Sequence, residues 1–147
     1  MSLISDAERE QVRDILADMA GPVVLRFYTQ TFDCETCGDT RQVLDMLAQV
    51  SDRITIDEHN LVLEREAAAA LGVDRAPTIL VLGTTDDGQP RDHGVRFVGA
   101  PFGYEFTALI DAILLVSRGQ AELSEASHQL LASVTSPMTL QVFTTPT

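Results

Sequence analysis

The chain predicts an α/β fold, a central mixed sheet flanked by helices, with an extra helix at the N-terminus. Three observations carry that expectation. Apolar residues recur at helical spacing in some segments and crowd into short β-branched runs in others. These segments alternate as helix, strand, helix, strand, helix, strand, strand, helix. The last two strands are joined by a short turn, which makes them an antiparallel pair. The 147 residues, 45% of them apolar, suffice for one core and fall short of two full-sized domains.

Ser5-Asp6-Ala7-Glu8 has the form of a capping box, and Val12, Ile15, Leu16 and Met19 follow at helical spacing up to Gly21-Pro22. A first helix is expected from Ser5 to Ala20. "VVLRFYT", Val23 to Thr29, is a mostly buried strand; in it Arg26 and Tyr28 snorkel or pack. From Cys37 the stripe Val43, Leu44, Leu47, Val50 marks a second helix, with Cys34 placed where that helix begins. "RITIDEH", Arg53 to His59, reads as a half-buried strand whose end leaves Asp57 and Glu58 in solvent. Asn60 caps a helix through "LVLEREAAAAL", and Gly72 stops it. Pro77 stands at the entrance of the strand Thr78 to Leu82, the one place a central strand tolerates proline. "TTDDGQP" is a hairpin turn in which Asp87-Gly88 supplies positive φ angles, and His93 to Gly99 is the return strand. Phe106, Leu109, Ile110, Ile113 and Leu114 then predict a long helix ending near Gly119. Glu122 to Leu131 is a further short helix, Ser136-Pro137 a linker, and "TLQVFTTPT", Thr139 to Thr147, a strand.

Formal net charge is −12, and all ten basic residues are arginine. Such an acidic surface repels nucleic-acid backbones and anionic lipid, so neither is an expected partner. No apolar run reaches the roughly 18 residues of a membrane span, and no basic-then-apolar leader opens the chain. The expected compartment is the cytoplasm, where a close cysteine pair serves catalysis, redox sensing or metal binding more often than it staples a fold.

Both cysteines lie in "FDCETCGD", two residues apart. Thiol–disulfide exchange needs a thiolate, access to another sulfur and a second thiol within reach. Cys34 and Cys37 at a helix start meet those needs: positions three apart share a helical face, and the first turn's free N–H groups and dipole favour charge on the earlier sulfur. Cys34 is the candidate nucleophile and Cys37 the resolving thiol. Asp33, Glu35 and Asp39 oppose a further anion, and Arg41 is positioned one turn on to offset them. Zinc competes for the same pair, but a closed site takes four ligands, and His59, His93 and His128 are scattered. Inert cysteines are the third possibility. Ala76-Pro77-Thr78, forty positions after the cysteines, adds a strand-entry proline that permits a cis bond and leaves the preceding backbone exposed.

The order strand, Cys34-Glu35-Thr36-Cys37, helix, strand, helix, Ala76-Pro77-Thr78, hairpin, helix resembles the thioredoxin fold over Gly21 to Ser117. Within it, "GVRFVGAPFGYEFTALIDAILLVSRG", Gly94 to Gly119, is similar to the end of the first unit in glutaredoxin-like protein disulfide oxidoreductases, which hold two such units in tandem. That resemblance implies a thioredoxin-like domain over residues 1–119. Residues 120–147 would be a linker helix and the first strand of a second unit, with Met1-Ser2-Leu3 a cloning remnant. It implies a redox-active disulfide as the only redox group, no metal, Cys34 attacking protein disulfides beside cis-Pro77, and Ala76 and Thr78 positioning the substrate as an added strand. The tryptophan and Gly-Pro of the thioredoxin active site are replaced by Asp33 and Glu-Thr, and no acid sits in the core of "VVLRFYT". A second resemblance is to the N-terminal domain of the flavin-linked component of alkyl hydroperoxide reductase. It implies a flavin-dependent reductase as electron donor and, where the cysteines are idle, a docking role.

Overall fold

The structure is a computed structural model that describes residues 5–145. Residues 1–4, which include the expected cloning remnant, and residues 146 and 147 of the expected last strand lie outside the described residues. Among the described residues nine elements follow one another: α1 (Asp6–Leu16), β1 (Val23–Thr29), α2 (Cys37–Val50), β2 (Ile54–Asn60), α3 (Arg65–Ala70), β3 (Thr78–Thr84), β4 (Pro90–Val98), α4 (Tyr104–Arg118) and α5 (Glu125–Ala132). The sheet order is β2-β1-β3-β4, with β1 parallel to β2 and antiparallel to β3, and β3 antiparallel to β4. This is the mixed sheet that the element order predicts.

Side chains alternate across β1 because its period is two. Val23, Leu25 and Phe27 join Ile79 and Val81 of β3 in one cluster with α1, α2 and α4. Tyr28 joins Leu80 and Leu82 in a second cluster, closed by Leu61, Ala68 and Val73 on the side of α3. Both faces are therefore covered, which is why β3 is buried from Thr78 through Gly83 without alternation.

Several boundaries differ from the sequence expectation, each for a local reason. The Ser5 capping box forms as expected: Glu8 N–H donates to Ser5 Oγ at 3.3 Å, and Ser5 N–H donates to Glu8 Oε2 at 2.8 Å. The helix stops at Leu16 rather than Ala20, because Asp18 and Met19 bond three residues back, to Ile15 and Leu16, in the tighter turn that ends many helices. α2 begins at Cys37, so Cys34 stands three residues ahead of it in a turn. Asn60 does cap, its Oδ1 accepting from the N–H groups of Val62 and Leu63 at 3.0 and 3.1 Å. What it caps is an irregular turn, and regular helix starts only at Arg65. In the hairpin Gly88 alone carries a positive φ, 80°, while Asp87 does not; Gly88 N–H closes the turn onto Thr85 O at 2.8 Å. β4 starts three residues earlier than expected, at Pro90, and takes up the extra length in a bulge opposite Leu80 and Leu82. α5 starts at Glu125 rather than Glu122 because Ser124 is its cap, accepting from Ser127 N–H at 3.1 Å. Residues 139–145 carry no sheet pairing among the described residues, and Leu140, Val142 and Phe143 are exposed. No helix among the described residues is long and apolar enough to cross a membrane.

Candidate functional site

β1 ends at Thr29, and the chain turns through Gln30–Thr36 into α2. Tyr28 pairs with Thr78 across the antiparallel β1–β3 ladder, so Pro77 lies just past that pair, at the end of the sheet where the cysteine turn leaves. The Ala76–Pro77 peptide is cis, and the Pro77 carbonyl accepts from Gly99 N–H at 2.8 Å. Thr78 is buried, and its Oγ1 donates to the Arg75 carbonyl at 2.7 Å; the hydroxyl braces the loop before the proline.

Cys34 and Cys37 form a disulfide with their Cα atoms 5.5 Å apart, within the range such bonds adopt. Their exposures differ in a useful way. Cys34 is half-buried and Cys37 is 5% exposed, at the first position of α2. Thr36 makes no side-chain cap to α2, which leaves the N–H groups of the first turn free of side-chain partners beside the pair. Just before Cys34, Asp33 has φ 55°. The Gln30 carboxamide donates to the Phe32 carbonyl at 2.8 Å and to the Asp33 carbonyl at 3.2 Å.

Beside this turn lies a groove of about 430 Å³. Gln30 and Asp33 form one wall, Leu61, Val62 and Arg65 another, and Asp74, Arg75 and Ala76 the third. Asp33 and Ala76 thus border a common space, between the turn that carries Cys34 and the loop before Pro77. Arg65, at the start of α3, and the loop residues Asp74 and Arg75 went unnoticed in the sequence because nothing in its periodicity marks a polar side chain as facing a groove.

Arg41 does not offset the acids around Cys34. Its guanidinium bonds Asp45 Oδ1 at 2.8 Å and also pairs with Glu58. Glu58 is exposed at the strand end, as expected, and there it pairs with Arg41. Asp57 is not simply solvated: Arg26 Nε donates to its Oδ2 at 2.8 Å, and His59 Nε2 stands 3.0 Å from its Oδ1. His59 Nδ1 lies 2.5 Å from Glu64 Oε2, and its ring stacks on Tyr28 at 5.3 Å between centroids. Arg26 therefore does more than snorkel, since it anchors a chain of alternating charge from β1 to the turn before α3.

Carboxylates only accept, so Nδ1 carries a proton where it meets Glu64, while Nε2 faces Asp57 at 3.0 Å without completing a hydrogen bond. Burial pulls the His59 pKa down, but the hydrogen bond to Glu64, the close approach of Asp57 and their negative charges outweigh it, and the net shift is upward. For Asp57 burial acts upward and is outweighed by the bond from Arg26 and the approach of His59, so its pKa is lowered. A group with a raised folded pKa contributes stability that is complete below its unfolded value, roughly 6.5 for histidine, and is lost as pH rises through the folded value. The urea midpoint of the wild type is therefore expected to exceed that of His59→Gln most just below about pH 6.5, the unfolded value, and to approach it as pH rises through the raised folded value. A constant difference across that window would rule out an imidazolium at this position.

Among the described residues no group of three or more His, Cys, Asp or Glu is placed to hold a metal ion. His59 lies between Asp57 and Glu64, with its Nδ1 bonded to Glu64.

No family model matches the chain. Among curated proteins it is 31% identical over 117 residues to an NADH dehydrogenase of Ferdinandcohnia aciditolerans, covering 80% of this chain and 19% of that protein. It is 35% identical over 98 residues to the F subunit of alkyl hydroperoxide reductase of Xanthomonas campestris pv. phaseoli, covering 62% of this chain and 16% of that one. The chain spans less than a fifth of the length of either. Among solved structures it is similar to a protein disulfide oxidoreductase from Aeropyrum pernix, with TM-score 0.73 and 25% identity over 88% of this chain and 54% of that one. It also shares its fold with the corresponding alkyl hydroperoxide reductase protein of Enterococcus faecalis, AhpF, with TM-score 0.75 and 21% identity over 88% of this chain and 60% of that one. With a β2-β1-β3-β4 mixed sheet and a bonded pair of cysteines ahead of α2, the chain has a thioredoxin-like fold and is similar to a protein disulfide oxidoreductase.

Proposed function

We propose that this chain is a thiol–disulfide exchange domain for protein disulfides, with Cys34 as nucleophile and Cys37 as resolving thiol. The observation that carries the reading is the asymmetry of the pair, an accessible Cys34 and a buried Cys37 within bonding distance beside a groove that includes Ala76. A structural staple is the weaker account. Closing so short a loop stabilises a chain by only about 2 kcal/mol, against about 4.7 for a 100-residue loop.

In the reduced chain the Cys34 thiolate attacks one sulfur of a substrate disulfide, and the substrate bond breaks with departure of a thiolate. Cys37, once deprotonated, attacks the Cys34 sulfur; the mixed disulfide breaks and the second substrate sulfur leaves and takes a proton. The substrate has gained two electrons and two protons, and the Cys34–Cys37 disulfide has formed. These steps use no cofactor beyond that disulfide. The Ala76 backbone pairs with the extended substrate segment, and Pro77 and Thr78 hold the loop that presents it. Reducing the disulfide again requires a two-electron donor, and the similarity to the alkyl hydroperoxide reductase proteins supports a flavin-dependent reductase in that role. The exposed Leu130, Leu131, Leu140, Val142 and Phe143 support reading residues 120–147 as a linker helix and the first strand of a second unit.

The same similarity favours one other reading, a docking or relay module whose own cysteines are idle. Insulin reduction separates the two. Catalytic amounts of the chain with dithiothreitol are expected to speed precipitation of the insulin B chain well beyond dithiothreitol alone, and no acceleration would leave only the docking role.

A further inference from the structure

We propose that Gln30 is a positioning residue for Cys34, holding the turn that presents the outer sulfur through two hydrogen bonds from one carboxamide. The proposal rests on the exchange function above and adds to it a residue that sets the properties of the nucleophile.

Asp33 is the single non-glycine residue with a positive φ, 55°, among the described residues. Side chains with a Cβ adopt that conformation at a cost, and keep it only where the surroundings impose it. Packing does not impose it here: Thr31, Phe32 and Asp33 are all exposed, Phe32 to 81%. Nor do turn hydrogen bonds within the backbone, since among the described residues none involves Phe32, Asp33 or Cys34. What remains is Gln30, itself half-buried, whose Nε2 holds the carbonyls on either side of the Asp33 α-carbon at 2.8 and 3.2 Å.

The N–H of a trans peptide points opposite to its C=O. Drawing both oxygens to Gln30 turns the N–H groups of Asp33 and Cys34 the other way. In the proposed arrangement they act, with the uncapped N–H groups at the start of α2, as donors to negative charge on the Cys34 sulfur. With the clamp removed, the two peptide planes are free to rotate and the carbonyl dipoles compete for the same space. A less favourable thiolate raises the thiol pKa and shifts the couple toward the disulfide.

The test is the equilibrium of the full chain with reduced and oxidised glutathione, together with the pH midpoint of Cys34 alkylation, in four proteins: wild type, Gln30→Met, Asp33→Gly and the double variant. Methionine matches the length of glutamine and donates nothing. Gln30→Met is expected to shift the glutathione equilibrium about tenfold toward the disulfide, equivalent to about 30 mV, and to raise the alkylation midpoint. Glycine adopts the positive φ freely, so the same substitution on the Asp33→Gly background is expected to have a much smaller effect, as coupled neighbours do. Gln30→Ala removes the same donors and stands in should methionine disturb the loop. An unchanged equilibrium and midpoint in Gln30→Met overturn the proposal, as does an equal shift on both backgrounds. Insulin is not part of these readouts, so a wild type inactive on insulin would sink the exchange function while the glutathione equilibrium still reports on the clamp.

Discussion

Cys34→Ser is expected to bring insulin reduction down to the rate of dithiothreitol alone, whereas Cys37→Ser is expected to stall the reaction part-way and accumulate a mixed disulfide between Cys34 and its substrate. The two outcomes follow from the two positions. Cys34 is half-buried in a turn, and Cys37 is 5% exposed at the head of α2. A hydroxyl at position 34 cannot attack a disulfide at neutral pH, so every step is lost with it. A hydroxyl at position 37 leaves the first step intact and removes only the group that releases the product. Turnover falls in both variants, but only Cys37→Ser yields a covalent adduct on non-reducing electrophoresis, and dithiothreitol disperses it. An adduct captured equally by Cys34→Ser would reverse the assignment of nucleophile and resolving thiol. Rates equal to wild type in both would leave the pair without a catalytic part.

What the sequence disclosed and what it hid divide along a physical line. Periodicity reports burial, and burial is what positions β1, α2, β3 and α4; "VVLRFYT" was legible because it lies buried within the sheet, and the stripe Val43, Leu44, Leu47, Val50 because it buries one helix face. The cysteine spacing was legible for a similar reason, since the reach of a disulfide is short. Polar contacts between segments leave no such trace. That Arg41 spends its charge on Asp45 and Glu58 depends on how α2 lies beside β2. The pairing of Arg26 with Asp57 depends on the register Arg26↔Asp57 of the parallel ladder. The one local signal available was "HNLVLE", in which Asn60 and Glu64 close a single turn from both ends. Gln30 was hidden for a different reason: a side chain bonding to carbonyls two and three residues ahead needs a turn whose φ angles no composition announces.

Phe27→Ala is expected to cost about 3–5 kcal/mol of stability, the usual loss when a large buried aromatic is cut to a methyl group. Phe27 is fully buried on β1, in the cluster shared with α1, α2 and α4, and is paired with Ile79 across the sheet. The core around it is built from several elements, and a strand hydrogen-bonded on both sides cannot shift to fill the gap. Domains of this size keep only about 5–15 kcal/mol in total, so the urea midpoint should fall by a large fraction while the slope stays near the wild-type value. Leu130→Ala, at a side chain 71% exposed on α5, is the matched control and should move the midpoint by no more than about 0.5 kcal/mol. The consequence for the site is specific. β1 runs directly into the Gln30–Thr36 turn, so loss of its packing is expected to loosen the cysteine turn before it abolishes the fold, with Cys37 alkylated in the reduced chain at urea concentrations where far-UV dichroism is still native. A midpoint no lower than that of Leu130→Ala would mean that β1 is not anchored by this core, and the placement of both cysteines would lose its physical basis.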